Sequence, residues 1–262
     1  MEAIRNLGIS IKFGGFPAMP LKYSSAIVTG ASTGIGRAIS CIIAAKGVRV
    51  CLVGRSETRL QETEHLIRKA GGEAVIAIAD LMNRRDIERI VSYAANTIGR
   101  VDIVANIAGV WHDQDHAYAG IPLEDIPPDQ IYEVFAVNIL APFHLTRLLL
   151  PEMKKRKRGK ILNISGTFAH GGAGWLHYYV SKQAVEYFTV GLADELRESR
   201  IQVNCISPSD VATDALKKFF PADARTALLP EEVAKLADFL LFSDVAENIT
   251  GQVITIKSIH AG

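Results

Sequence analysis

Cysteine is scarce in this chain. Cys41, Cys51 and Cys205 are odd in number and show no Cys-x-x-Cys spacing. That argues against a disulfide framework or thiolate metal site and for reduced thiols in a cytoplasm-like compartment. A charge excess is missing too: 29 Lys and Arg against 28 Asp and Glu leave +1. There is no global pull toward nucleic acid or an anionic membrane. No uninterrupted apolar run reaches the roughly 18 residues of a membrane span. No internal repeat of fixed period is seen.

What is present is apolar bulk, 48% of 262 residues, enough for a substantial core and against disorder. Strand and helix patterns alternate to the end of the chain, which reads as one α/β domain over residues 24–262. Residues 1–23 fit no element. They carry Gly8, Gly14, Gly15, Pro17 and Pro20, without the apolar core or cleavage site of a signal peptide. They read as a flexible extension, or as sequence ahead of a true start at Met19.

The pattern is organised around Ser25 to Ala38. A short apolar run ends in Gly30-Ala-Ser-Thr-Gly34-Ile-Gly36, and apolar residues at helical spacing follow at Ile35, Ile39, Ile42 and Ile43. Glycines there permit a tight turn and close approach of a phosphate, at which the new helix aims its free N–H groups and dipole. Further strands are expected at Arg49–Val53, Val75–Ala79, Val101–Ala105, Lys160–Ile164, Ile201–Ile206 and Gln252–Ile256. They are apolar on both faces, as in a covered parallel sheet. Long helices are expected at about Asp129–Met153 and Trp175–Ser199.

Tyr178 and Lys182 lie four apart in a helical pattern and so share one face. A tyrosine with a pKa near 10 moves protons poorly at neutral pH until a nearby cation stabilises its phenolate. The pair joins an ordered set: Thr29-Gly-Ala-Ser-Thr-Gly-Ile-Gly36, Asn106-Ile-Ala-Gly109, Asn138, Asn163-Ile-Ser165, Tyr178-x-x-x-Lys182 and Pro208-Ser-Asp-Val-Ala-Thr213. From about Ser25 to Gly262 the chain resembles the short-chain dehydrogenase/reductase family, and within it the 3-oxoacyl-carrier-protein reductases. The resemblance implies a single-domain Rossmann fold, a doubly wound parallel sheet of about seven strands with helices on both faces. It also implies hydride transfer between a nicotinamide and a carbonyl or secondary alcohol.

By that resemblance Tyr178 is the general acid or base, Lys182 lowers its pKa and binds the ribose, and Asn138 holds a water in the proton relay. Ser165 is expected to bond the substrate oxygen. The cofactor would lie along Gly30, Ser32, Thr33, Gly34, Ile35 and Gly36, then Asp80 and Leu81. It would continue past Asn106, Ala108 and Gly109 to Tyr178 and Lys182, with Pro208, Val211 and Thr213 at the nicotinamide. No metal is expected. Departures from the family pattern are Ile107 in place of Asn, Ser209 in place of Gly, and the C-terminal Lys257-Ser-Ile-His-Ala-Gly262.

The serine is ambiguous. Ser165 lies 13 residues before Tyr178, the usual family spacing, but counting forward from Asn163 puts Gly166 in the serine slot. A one-residue shift turns a strand side chain to the other face unless the backbone bends. Ser165 is the expected residue, with Gly166 the alternative.

Cofactor choice is read after the second strand, where Val53-Gly54-Arg55-Ser56 has no carboxylate for a ribose 2′-hydroxyl. Gly54 leaves room for a 2′-phosphate and Arg55 can pair with it, so NADP(H) is favoured and NAD(H) stays possible. The expected activity is a carbonyl reductase on an apolar or acyl-type small molecule. An NAD-dependent alcohol dehydrogenase and a non-catalytic nucleotide-binding regulator are the alternatives. Trp111, Trp175, Leu176, Phe219 and Phe220 suggest an apolar or ring-bearing substrate. A homo-oligomer, tetramer or dimer, is implied by the resemblance, through Leu145, Leu148, Leu149, Val185, Phe188 and Leu192 where the sheet leaves them free. His112-Asp-Gln-Asp-His116 reads as a polar rim and Lys154-Lys-Arg-Lys-Arg158 as a solvated helix end, each ahead of any ligand.

Overall fold

The computed structural model describes residues 22–168 and 171–259. Seven strands, β1 (Ser25–Thr29), β2 (Arg49–Gly54), β3 (Ala74–Ile78), β4 (Ile103–Asn106), β5 (Gly159–Ile164), β6 (Ile201–Pro208) and β7 (Val253–Ile256), form one sheet. All pairs are parallel and the order is β3-β2-β1-β4-β5-β6-β7. The chain runs outward from β1 to β3 and then returns to place β4 on the other side of β1. That reversal opens a crevice beyond the carboxyl ends of β1 and β4, where a ligand can enter between diverging loops.

Successive strand residues serve opposite helix layers. Val28 packs with Ile39, Ile43, Leu240 and Leu241, from α1 (Gly34–Ala45) and the last long helix, α8 (Pro230–Phe242). Its neighbour Ile27 packs with Ile87, Ile90, Leu145 and Leu149 on the other face. These side chains come from α3 (Arg84–Thr97) and α5 (Ala141–Arg156). Ser56 caps α2 (Glu57–Lys69) and Asn83 caps α3, each accepting a first-turn amide.

The helix expected over Asp129–Met153 is α4 (Pro128–Phe135), a π turn (Ala136–Leu140) and α5 in unbroken succession. By length and composition alone residues 128–156 could cross a membrane. Here Leu145, Leu149 and Met153 are buried against the sheet. Four of the side chains expected at a subunit contact, Leu145, Leu149, Val185 and Leu192, are likewise buried. The sheet takes them because they follow the inward stripe of their helices. The N-terminal boundary also moves: Tyr23 is buried and Lys22 pairs with Glu247 at 2.7 Å, so both belong to the fold. The rest of the N-terminal extension lies outside the described residues.

Candidate active site

The turn between β1 and α1 is built from glycine because nothing larger fits. A Cβ on Gly36 would lie 2.0 Å from the Gly30 carbonyl oxygen, and one on Gly30 (φ +66) 2.9 Å from Ala108 N. Thr29 Oγ1 accepts the amides of Ile107 at 3.0 Å and Ala108 at 3.2 Å, locking the β4 loop to the turn. Unlike α2 and α3, α1 has no side-chain cap: Thr33 makes no capping bond, and its first turn holds no acid. The amides of Gly34, Ile35 and Gly36 thus face the crevice uncapped, with the positive end of the dipole behind them. The cradle fits a dinucleotide diphosphate.

Around this cradle, Gly54 sits beside Ser32, where a Cβ would come within 3.5 Å of Ser32 Oγ. Arg55 is largely exposed, with its guanidinium 3.8 Å from Glu133. Asp80 accepts the Met82 amide in a local turn, and Leu81 is buried. Asn106 donates to Asn163 Oδ1 at 2.8 Å and so ties β4 to β5. Pro208 ends β6 and Val211 is buried. Thr213 is engaged as the N-cap of α7 (Asp214–Phe219), accepting the Leu216 amide, and its methyl group lies over Gly34. Ile107, the departure in the β4 motif, packs in the core.

The catalytic candidates meet where α6 (Leu176–Glu195) packs over the ends of β5 and β6. Asn138 lies in the π turn, which re-aims its side chain out of the helical register. Its Oδ1 accepts the Val110 amide at 2.7 Å, and its Nδ2 donates to Val110 O at 3.2 Å and to Ser181 Oγ at 2.9 Å. Ser181 in turn donates to the Tyr178 carbonyl at 2.7 Å. Lys182 is buried and donates to Ile164 O at 3.1 Å, with its ammonium 5.5 Å from the centre of the Tyr178 ring. Gly109 lies against it, where a Cβ would come within 3.2 Å of Lys182 Nζ.

Burial pushes the Lys182 ammonium down to about 8. Burial, and then the charge of Asp210, push the Tyr178 phenol well above its ordinary value. The resting pair is therefore a neutral phenol, able to donate, beside an ammonium that is expensive to keep in place without an anion.

Ser165 does not follow expectation. Its Oγ donates to Glu186 Oε1 at 2.8 Å, and Ser207 Oγ donates to the same oxygen at 2.9 Å. The strand ladder runs on without a bulge, Ser165 N to Ile206 O and Thr167 N to Pro208 O. With no bend, Ser165 keeps the face of Asn163, whose amide reaches Thr189 on α6. Gly166 takes the opposite face, where a Cβ would meet only Pro208 O, at 4.0 Å. The expected role of Ser165 at the substrate oxygen is thus not supported by its hydroxyl's position. Sequence reading missed Glu186 and Ser181, although Lys182, Glu186 and Thr189 mark a polar stripe on an otherwise apolar inward face.

Over Tyr178 the loop after β4, the loop before α6 and the segment around α7 come together, as expected for a substrate groove. Trp111, Trp175, Phe219 and Phe220 meet there, while Leu176 is more exposed at the start of α6. In the candidate rim, Asp113 accepts the amides of Asp115 and His116, and His112 packs on Trp111 and Phe219. The basic run is partly spent on Lys154–Glu195 and Arg156–Asp102 ion pairs.

Comparison with known proteins agrees with this architecture. The short chain dehydrogenase family matches residues 24–224. The 7alpha-hydroxysteroid dehydrogenase of Escherichia coli (strain K12) is 29% identical over 244 residues, covering 88% of this chain and 92% of that protein. A 3-ketoacyl-(acyl-carrier-protein) reductase from Brucella melitensis, solved with NADH, superposes with a TM-score of 0.80 at 26% identity over 91% of this chain and 98% of its own. A putative NAD(P) dependent gluconate 5-dehydrogenase from Beutenbergia cavernae, with bound NADP, gives a TM-score of 0.79 at 30% identity over 90% and 95%. Site geometry and relatives agree: the chain belongs to the short-chain dehydrogenase family, as an NAD(P)-dependent oxidoreductase acting between hydroxyl and keto groups.

Proposed function

We propose that the protein is a carbonyl reductase that prefers NADP(H), with Tyr178 as proton donor, Lys182 as its charge partner and Asn138 as the anchor of both. The observation that carries this reading is the buried Lys182 ammonium 5.5 Å from the Tyr178 ring, with the Tyr178 backbone carbonyl tied to Asn138 through Ser181. The nicotinamide, when bound, exchanges a hydride with the carbon. Tyr178, a phenol at rest, gives its proton to the oxygen as negative charge develops there. The phenolate left behind is stabilised by Lys182, whose ammonium then has the anion that its burial calls for. Asn138 holds Val110 and Ser181 in place, fixing the height of Tyr178 above the end of β5. The second hydrogen-bond slot for the oxygen belongs to Gly166 in this chain, so the oxygen relies on Tyr178 with Thr167 or a water.

The cradle residues Gly30, Ser32, Thr33, Gly34, Ile35 and Gly36 would hold the diphosphate. Gly54 and Arg55 support the NADP(H) preference, since Gly54 adds no side chain beside Ser32 and the exposed Arg55 guanidinium is held only by a 3.8 Å approach to Glu133. Assembly into a homo-oligomer is supported by an exposed apolar face on α4, the π turn, α5 and α6. Tyr132, Leu140, Phe143, Val180 and Tyr187 are exposed there, with Phe143 stacked on Phe188 at 3.9 Å. Three free thiols support a reducing, cytoplasm-like compartment. The test is oxidation of NADPH and NADH with a ketone panel, wild type beside Tyr178→Phe. Turnover lost in the variant supports the assignment, and equal turnover in both would refute it.

A further inference from the structure

Trp111, Trp175 and Phe220 form a triangle. Their ring centres are 6.1 Å apart for Trp111–Trp175, 6.1 Å for Trp111–Phe220 and 5.8 Å for Trp175–Phe220. The three rings come from three different loops, yet none of the pairs stacks. Interplanar angles of 51°, 34° and 45° tilt the three faces across one another instead of stacking them. Each ring is half-buried and keeps part of its surface exposed. One corner touches the chemistry: Trp175 lies 5.9 Å from the Tyr178 ring, with Phe168 at 5.8 Å on another side.

Charge around the triangle selects against anions. Asp210 is near enough to act on the Tyr178 phenol, and it would repel a carboxylate or phosphate held at the reacting centre. Apart from Lys182, the ammonium that stacks on the cluster among the described residues is Lys218, over Phe219 at 5.0 Å. It already donates to the Gln114 carbonyl, tying α7 to the loop after β4. Tilted, partly exposed π faces favour a flat or cyclic body, which meets several of them at once.

We infer that the cleft takes a neutral, ring-bearing ketone, its ring held among Trp111, Trp175 and Phe220 and its oxygen at the Tyr178 hydroxyl. The inference rests on the reductase reading above. In the reaction the carbonyl carbon takes a hydride from NAD(P)H and the oxygen takes the Tyr178 proton. The ketone becomes an alcohol, NAD(P)H becomes NAD(P)⁺, and the phenolate regains a proton from water.

The chain has two tryptophans, and both are in the triangle, so tryptophan fluorescence reports on this cleft directly. Three probes separate the classes: 2-tetralone, the open-chain 2-decanone of equal carbon number, and acetoacetate. In Tyr178→Phe, 2-tetralone is expected to quench the fluorescence saturably, while the other two do not at equal concentration. In the wild type, kcat/KM for 2-tetralone should exceed that for 2-decanone by about tenfold or more. Trp111→Ala should shrink that ratio to about threefold or less, and Trp111→Phe should restore most of it. Equal turnover of all three ketones would overturn the ring site and leave the reductase standing. Saturable quenching with no turnover of any carbonyl, with either cofactor, would overturn the reductase and leave the ring site standing.

Discussion

The Ser165 hydroxyl lies 2.8 Å from Glu186 Oε1, and Ser207 reaches the same oxygen from the neighbouring strand at 2.9 Å. One carboxylate on α6, a turn beyond Lys182, therefore pins the ends of β5 and β6 together. From those ends spring the two loops that carry Trp175 and Phe220. Two hydroxyl donors on an ionised acceptor make a stronger tie than a neutral pair.

Ser165→Ala is accordingly expected to keep kcat within about threefold of wild type, because its hydroxyl is spent on Glu186, whereas a donor to the reacting oxygen would be worth ~10²-fold. Its stability should fall by about 1 kcal/mol, the loss of one charged hydrogen bond from Glu186. Gly166→Ser should raise kcat by up to about tenfold, by placing a hydroxyl in the open slot. Steady-state kinetics and urea unfolding of the two variants check both halves. A hundredfold loss in Ser165→Ala would return the serine to the reaction.

Lys182 sets the pH dependence. Its pKa falls from 10.5 to about 8 on folding, because burial disfavours the charged form. A base with a depressed folded pKa binds fewer protons when folded, so it opposes folding while charged. The penalty is complete below pH 8 and fades as the pH rises toward 10.5. Reduction should lose kcat/KM above an apparent pKa of about 8, as the ammonium that supports the phenolate is titrated. Lys182→Met should be inactive yet melt higher than wild type at neutral pH, with the gap closing toward pH 10.5. Scanning calorimetry across that window tests the sign.

Arg55→Ala should raise KM for NADPH about tenfold and leave KM for NADH within about twofold, since only the 2′-phosphate offers a charge for the guanidinium to pair with. The 3.8 Å approach to Glu133 on an exposed side chain is too weak a tie to matter to folding. Unchanged NADPH constants would remove Arg55 from the cofactor site.

Gly36→Ala should fail at the fold itself. Its Cβ would sit 2.0 Å from the Gly30 carbonyl oxygen, and backbone cannot step aside as a side chain can. Loss of several kcal/mol is expected, of the order seen for overpacked cores or more. Thermal unfolding without cofactor reads it, so that weakened NADP(H) binding is not mistaken for lost stability.

The exposed face of the long helix shows where sequence periodicity stops being informative. Phe143, Leu145, Leu148 and Leu149 crowd two turns of one helix, and composition cannot say which of them the sheet will claim. The structure buries Leu145 and Leu149 and leaves Phe143 exposed. The π turn at Ala136–Leu140 adds to this, because it rotates the helix and re-aims Asn138.

By itself the sequence determined the features held by local geometry. The glycine turn after β1 is legible because only glycine fits so close an approach. The pairing of Tyr178 with Lys182 is legible because four residues make about one helical turn. The alternation of strands and helices follows from apolar patterning alone. Only tertiary structure decided which way Ser165 faces, since a strand's side chains alternate and the register is set by pairing with β6, some forty residues away in the chain. It also decided that Trp111, Trp175 and Phe220, far apart in sequence, meet over Tyr178. Their meeting depends on parallel strands delivering three loops to the same end of one sheet.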